Sequence, residues 1–109
     1  MTTAWGWIYL FVSGVVDVVW ALSMKKADGF ANPGWSAVSL ALLALFVYLL
    51  TKSLVVLPIG TAYAVWTGIG AVGTVLAGAL FFSEPVTIAR LVCIALIIVG
   101  IAGLKVLPD

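Results

Sequence analysis

The sequence predicts an all-α membrane protein of four transmembrane helices, residues 1–109 forming a single transmembrane domain. Composition and the placement of charge carry that prediction. Of the 109 residues, 65% are hydrophobic and only 8% are charged, against about 25% charged in an ordinary soluble domain. Mean hydropathy is +1.33. So little polar surface cannot clothe a water-soluble fold, and lipid must be the solvent. At roughly 20 residues per span, the length accommodates four helices with short connections and no second domain. The apolar runs are long and lack the polar alternation of barrel strands, which excludes a β-barrel.

Charges and chain breakers divide the sequence. The first span is expected over about 4–24, ending at Lys25-Lys26, and the run Asp28-Gly29, Asn32-Pro33, Gly34 breaks the chain after it. The absence of a basic segment before it argues for a retained span over a cleaved signal peptide. The second span is expected over about 35–51, closed by Lys52. Pro58 stands where a helix start tolerates proline and opens the third, over about 58–82, which Ser83-Glu84-Pro85 terminates. The fourth is expected over about 87–106, with Lys105 and Pro108 at its exit. Trp5, Trp7, Tyr9 and Trp35 fall near span ends, where amphipathic rings sit at the headgroup level.

Several function classes are excluded early. A net charge of +1 with no basic stripe gives no nucleic-acid surface. Histidine is absent and cysteine occurs once, at Cys93, so no metal site and no internal disulfide are expected. Cys93 reads as a small buried apolar residue. No cofactor motif is present, and no serine–histidine, paired-aspartate or metal constellation supports an enzyme. Orientation is weakly encoded: two bases, Lys52 and Lys105, share one side, while Lys25, Lys26 and Arg90, three bases, share the other. That balance fits either a noisy count or a chain that inserts both ways and pairs with an oppositely oriented partner.

One residue resists the apolar pattern. Asp17 stands near the middle of the first span, flanked by Val16, Val18 and Val19 and two turns from the lysine pair. An acid at that depth costs roughly 2.5–3.5 kcal/mol to insert, and such residues mark ion or substrate pathways more often than structural bonds. Burial penalises the ionised carboxylate. A proton or an organic cation can each neutralise it, but not both at full strength, which is the physical basis of proton-coupled antiport. Ser13, Gly14, Asp17, Trp20 and Ala21 recur at helical spacing and share a face. On the third span Tyr63, Trp66, Thr67 and Gly70 do the same, and their rings can hold a cation on the π-face. Interfacial packing is the alternative role for these aromatics. Gly68-Ile69-Gly70 removes side chains where a helix could bend or pack closely. Four helices enclose little space around a central acid, so a second protomer is expected to complete the cavity.

These residues resemble the small multidrug resistance family of proton-coupled exporters, most closely its guanidinium-exporter branch. The resemblance covers nearly the whole chain. It rests on Gly14-Val15-Val16-Asp17-Val18-Val19-Trp20-Ala21, on the stretch from Leu57-Pro58-Ile59-Gly60 through Tyr63-Ala64-Val65-Trp66-Thr67-Gly68-Ile69-Gly70, on Phe81-Phe82-Ser83-Glu84-Pro85, and on Gly103-Leu104-Lys105. It implies an antiparallel dimer in the bacterial inner membrane with one shared site, and exchange of a small cytoplasmic cation for external protons. It implies that Asp17 stands at the family's proton- and substrate-binding acid, that Trp20, Tyr63 and Trp66 line the site, and that Gly68 and Gly70 form the hinge of the third helix. Three departures stand out. The family acid is normally glutamate, one methylene longer than Asp17. Phe46 occupies a second-helix position that is usually serine in the guanidinium branch. The first loop, Gly29-Phe30-Ala31-Asn32-Pro33, lacks the usual arginine.

The expected function is therefore proton-coupled export of small organic cations, guanidinium or substituted guanidinium first. Export of quaternary ammonium or lipophilic cations is the alternative, with the chain a homodimer or one half of a heterodimeric pair. A non-transporting membrane assembly subunit is the competing class.

Overall fold

A computed structural model of the chain describes residues 3–107. Four helices make up the described fold: α1 (Thr3–Lys26), α2 (Pro33–Ser53), α3 (Ile59–Phe81) and α4 (Ile88–Val106). All four are long and apolar enough to cross a membrane, and no strand occurs among the described residues. The boundaries agree with the sequence reading to within two residues and differ for local reasons. Lys25 and Lys26 continue α1 into its last turn, where cations complement the helix dipole. Pro33, read as part of the breaker, instead forms the first turn of α2 behind the cap Asn32, whose side chain accepts from the Trp35 N–H at 3.2 Å. Pro58 caps α3 from outside, and Thr87 caps α4 by accepting from the Arg90 N–H at 3.2 Å. Pro108, the expected exit breaker, lies outside the described residues.

The first connection is tight. Asp28, Gly29 and Phe30 all adopt positive φ, at 52°, 64° and 68°. That left-handed run reverses the chain, and the Ala27 carbonyl closes it by accepting from the Asn32 N–H at 3.0 Å. Glycine takes such a backbone without strain; Asp28 tolerates it as a short polar residue.

Helix α1 is the hub. It packs along α2 and α3, while the backbone of α4 lies beside α3 alone. The result is a slab with extents of 45 × 34 × 16 Å. Glycines set the α1–α3 approach: a β-carbon at Gly14 would come within 2.6 Å of Ile69 Cγ2, and one at Gly73 would collide with Val18. Close backbone approach through small residues is how membrane helices gain dispersion contacts without a hydrophobic drive. At the end of the slab holding the α1 N-terminus, Leu10, Leu57, Ala62 and Val65 form the buried core, with Trp7, Leu50 and Leu104 against it.

Outward faces are apolar. Ile88, Leu96, Val99 and Val106 of α4 are exposed, and Ile94 is its one buried residue among those described. Cys93 belongs to this outward surface: it is exposed, which corrects its reading as a buried core residue. The cause is that the backbone of α4 lies close to α3 alone, so α4 buries one narrow stripe.

Candidate functional site

The Asp17 carboxylate rests against the backbone of Gly70. A β-carbon placed on Gly70 would overlap Asp17 Oδ2, so only glycine leaves room for the acid there. Helices α1 and α3 meet at this level because Gly14 seats Ile69 one turn before Asp17. No hydrogen bond or ion pair to Asp17 is present among the described residues, and its environment is half-buried. An acid held in mid-span without a base or a donor is free to receive a cation or a proton.

Aromatic rings flank that contact. Trp20 lies about one turn further along α1 from Asp17, and Trp66 one turn back along α3 from Gly70. Phe46 of α2 bridges them: its ring centroid is 5.3 Å from that of Trp20, edge-on, and 5.5 Å from that of Trp66. Tyr63 extends the row, 5.8 Å from Trp66. Four rings from three helices thus form one continuous wall. Phe46 is only 5% exposed and fills the space between the two indoles. The Trp66 Nε1–H is buried and has no hydrogen-bond partner among the described residues. A buried donor left unpaired costs free energy comparable to a lost hydrogen bond, so the Trp66 N–H is left for an acceptor such as water or a carboxylate oxygen.

Asp17 meets Gly70, and Trp20, Phe46 and Trp66 meet in ring contacts. Tyr63 is 60% exposed and reaches the group through Trp66 alone. Ser13 is fully buried, but its hydroxyl donates to the Phe46 carbonyl at 2.8 Å, tying α1 to α2 instead of facing Asp17. Gly14 lends no open volume near the acid, since Ile69 fills the space. Thr67 is exposed. Gly68 packs on α4, with Ile101 Cδ1 at 2.8 Å from a built β-carbon, and α3 runs through Gly68 and Gly70 as unbroken helix.

Two features escaped the sequence reading. Lys25 forms an ion pair with Glu84, and its ammonium lies 4.8 Å from the Phe82 ring centroid, so the end of α1 is tied to the α3–α4 connection. Opposite charges on the same membrane side were the available signal. The other lysines also sit over rings: Lys26 over Trp35 at 5.0 Å, Lys52 over Tyr48 at 5.5 Å and Lys105 over Trp7 at 5.4 Å.

The family model described as Small Multidrug Resistance protein matches residues 5–97, across all four helices. The chain belongs to the small multidrug resistance family. It is 44% identical over 99 residues to a protein of Yersinia pseudotuberculosis named Guanidinium exporter, covering 91% of this chain and 95% of that one. Proteins of the same name from Proteus vulgaris and Salmonella typhimurium are 43% identical over 91% of this chain, covering 95% and 94% of their own lengths. As a member of this family with four spanning helices, the chain is a multi-pass inner-membrane protein.

Proposed function

We propose that this chain exports small organic cations, guanidinium or substituted guanidinium compounds first, in exchange for protons. The observation that carries the reading is the unpaired Asp17 carboxylate, seated on Gly70 at mid-span beside the wall of Trp20, Phe46 and Trp66. A planar guanidinium presents forked N–H donors to a carboxylate and a flat face to indole rings. Its arrival neutralises the acid without a proton, and a proton neutralises it without the cation. Either occupant excludes the other, which couples the two flows. Similarity to proteins named Guanidinium exporter supports the substrate class.

The working unit is an antiparallel dimer, either two copies of this chain or this chain with a second family member. A slab whose acid is only half-buried leaves one side of the site to be closed by a partner. Alternating exposure of the shared site requires α3 to flex, with Gly68 and Gly70 as the hinge.

A second reading is favoured by Phe46. A ring between the two indoles offers no hydrogen bond, and it suits quaternary ammonium or lipophilic cations that have no donors. Purified chain reconstituted alone into liposomes, with an imposed proton gradient, distinguishes these readings. Guanidinium uptake that disappears in Asp17→Asn supports the first; tetraalkylammonium uptake with no guanidinium uptake supports the second. No gradient-driven uptake of either by the lone chain, restored on adding a second family member, assigns it to a heterodimer.

A further inference from the structure

A groove of about 300 Å³ opens on the side of α1 that faces away from Asp17. Val19 and Leu22 line it from α1, Trp35 from the start of α2, and Phe81 and Phe82 from the end of α3; α4 takes no part. Lys26, the last residue of α1, also lines it. Asp17 and Lys26 are nine positions apart. At about 3.6 residues per turn that is two and a half turns, so the two side chains leave the helix on opposite faces. From Val19 to Lys26 the helix rises about 10 Å, a good part of one leaflet in a hydrocarbon core about 30 Å thick. Lys26 and Trp35 mark the headgroup level, where lysines and tryptophans settle, and the groove runs from there toward the middle of the bilayer.

The surface of a spanning helix bundle on this face is covered by lipid, and the charge at the mouth of the groove selects which lipid. Lys25 and Lys26 are neighbours in sequence with different surroundings. Lys25 is neutralised by Glu84. Lys26 makes no ion pair among the described residues, Asp28 included. Its ammonium lies 5.0 Å from the Trp35 ring centroid. A ring face holds an ammonium in place without cancelling its charge, and the N–H donors remain for an anion. A fixed cation at headgroup depth above an apolar groove matches a phosphate with a hydrocarbon chain beneath it. A zwitterionic headgroup brings its own cation to that phosphate and an anionic one does not, so Lys26 discriminates between them.

We propose that this groove seats one anionic phospholipid, its phosphate on Lys26 and the upper part of one acyl chain along Leu22, Trp35 and Phe81. The site stands apart from the Asp17 carboxylate. It requires that the chain lie in a bilayer and does not depend on the transport reading.

Phe81 is 70% exposed and lines the groove, so a label at that position senses what occupies it. The full-length protein carrying Phe81→Cys and Cys93→Ser, labelled with a small fluorophore, is placed in bilayers of phosphatidylcholine containing brominated phosphatidylglycerol or brominated phosphatidylcholine at equal mole fraction. Quenching is expected to favour the anionic lipid about fivefold, the worth of one basic residue at a membrane surface, and the preference is expected to shrink as salt is raised. Lys26→Gln is expected to abolish it and Lys26→Arg to keep it. Equal quenching by the two lipids at low salt would overturn the proposal by reducing the groove to ordinary annular contact. A preference that survives unchanged in Lys26→Gln would overturn it by placing the headgroup elsewhere. A label shielded from both lipids would overturn it by showing that protein, not lipid, covers this face.

Discussion

Asp17 and Gly70 are in direct contact across α1 and α3, with the carboxylate occupying the volume a side chain at position 70 would need. The first prediction comes from that contact. Gly70→Ala is expected to push the acid off its seat while leaving the helices intact, since alanine is the better helix former. Misplacement of a reacting group by about 1 Å can cost orders of magnitude, so gradient-driven cation uptake is expected to fall roughly tenfold or more. Thermal stability in detergent, measured alongside, is expected to change little. Full activity in Gly70→Ala would mean that the contact does not position the acid.

Phe46 bridges Trp20 and Trp66, and its carbonyl receives the Ser13 hydroxyl. Truncation to serine removes ring contacts on both sides and is expected to cost roughly 3 kcal/mol or more, as for other buried Phe truncations. The same change opens the wall and adds a hydroxyl near Asp17. Competition uptake is expected to move the substrate preference toward guanidinium and away from tetraalkylammonium. An unchanged preference would show that Phe46 does not contact the cargo.

The Lys25–Glu84 pair has side chains 53% and 43% exposed. Exposed pairs contribute about 0–1 kcal/mol and are screened by salt. A double-mutant cycle with Lys25→Gln and Glu84→Gln is therefore expected to give a coupling below ~1 kcal/mol that shrinks further at high salt. A larger, salt-insensitive coupling would mean that this end of the molecule is shielded from solvent.

Gly14 and Gly68 should respond differently to alanine. A β-carbon at Gly14 meets Ile69 Cγ2 at 2.6 Å and the Ile69 Cβ itself at 2.9 Å, a branched stem that cannot turn away. At Gly68 the nearest atom is the terminal Cδ1 of Ile101, at 2.8 Å, the far end of a flexible side chain on a helix whose backbone lies close to α3 alone. Gly14→Ala is expected to cost about 1–3 kcal/mol by overpacking, and Gly68→Ala less. If Gly68 is the hinge, its alanine variant keeps stability but slows transport. Equal destabilisation of the two variants would contradict this ranking.

The four spans were legible because their ends are written in residues that lipid excludes: Lys25-Lys26, Lys52, Ser83-Glu84-Pro85. Asp17 was legible for the converse reason, as an acid with no base within a turn. Helical spacing groups Asp17 with Trp20, and Trp66 with Gly70, because periodicity defines a face. It does not say what that face meets. Ser13 shares the spacing of Asp17, yet its hydroxyl turns to the Phe46 carbonyl on another helix. Gly14 shares that spacing too, and the volume beside it is filled by Ile69. Phe46 was noted for its departure from the serine of the related exporters, but its place between two indoles comes from the crossing of three helices, which no single-chain pattern encodes. Cys93 was misread because an apolar run in lipid gives no indication of which side is covered.

Proton release on substrate binding tests the shared role of Asp17 most directly. Guanidinium is titrated into the detergent-solubilised protein in weakly buffered solution, and the pH change is converted to protons displaced. A carboxylate that holds either a proton or the cation predicts net proton release in wild type, growing as the starting pH is lowered, and none in Asp17→Asn. Saturable guanidinium binding without proton release, or binding and release both retained in Asp17→Asn, would contradict it.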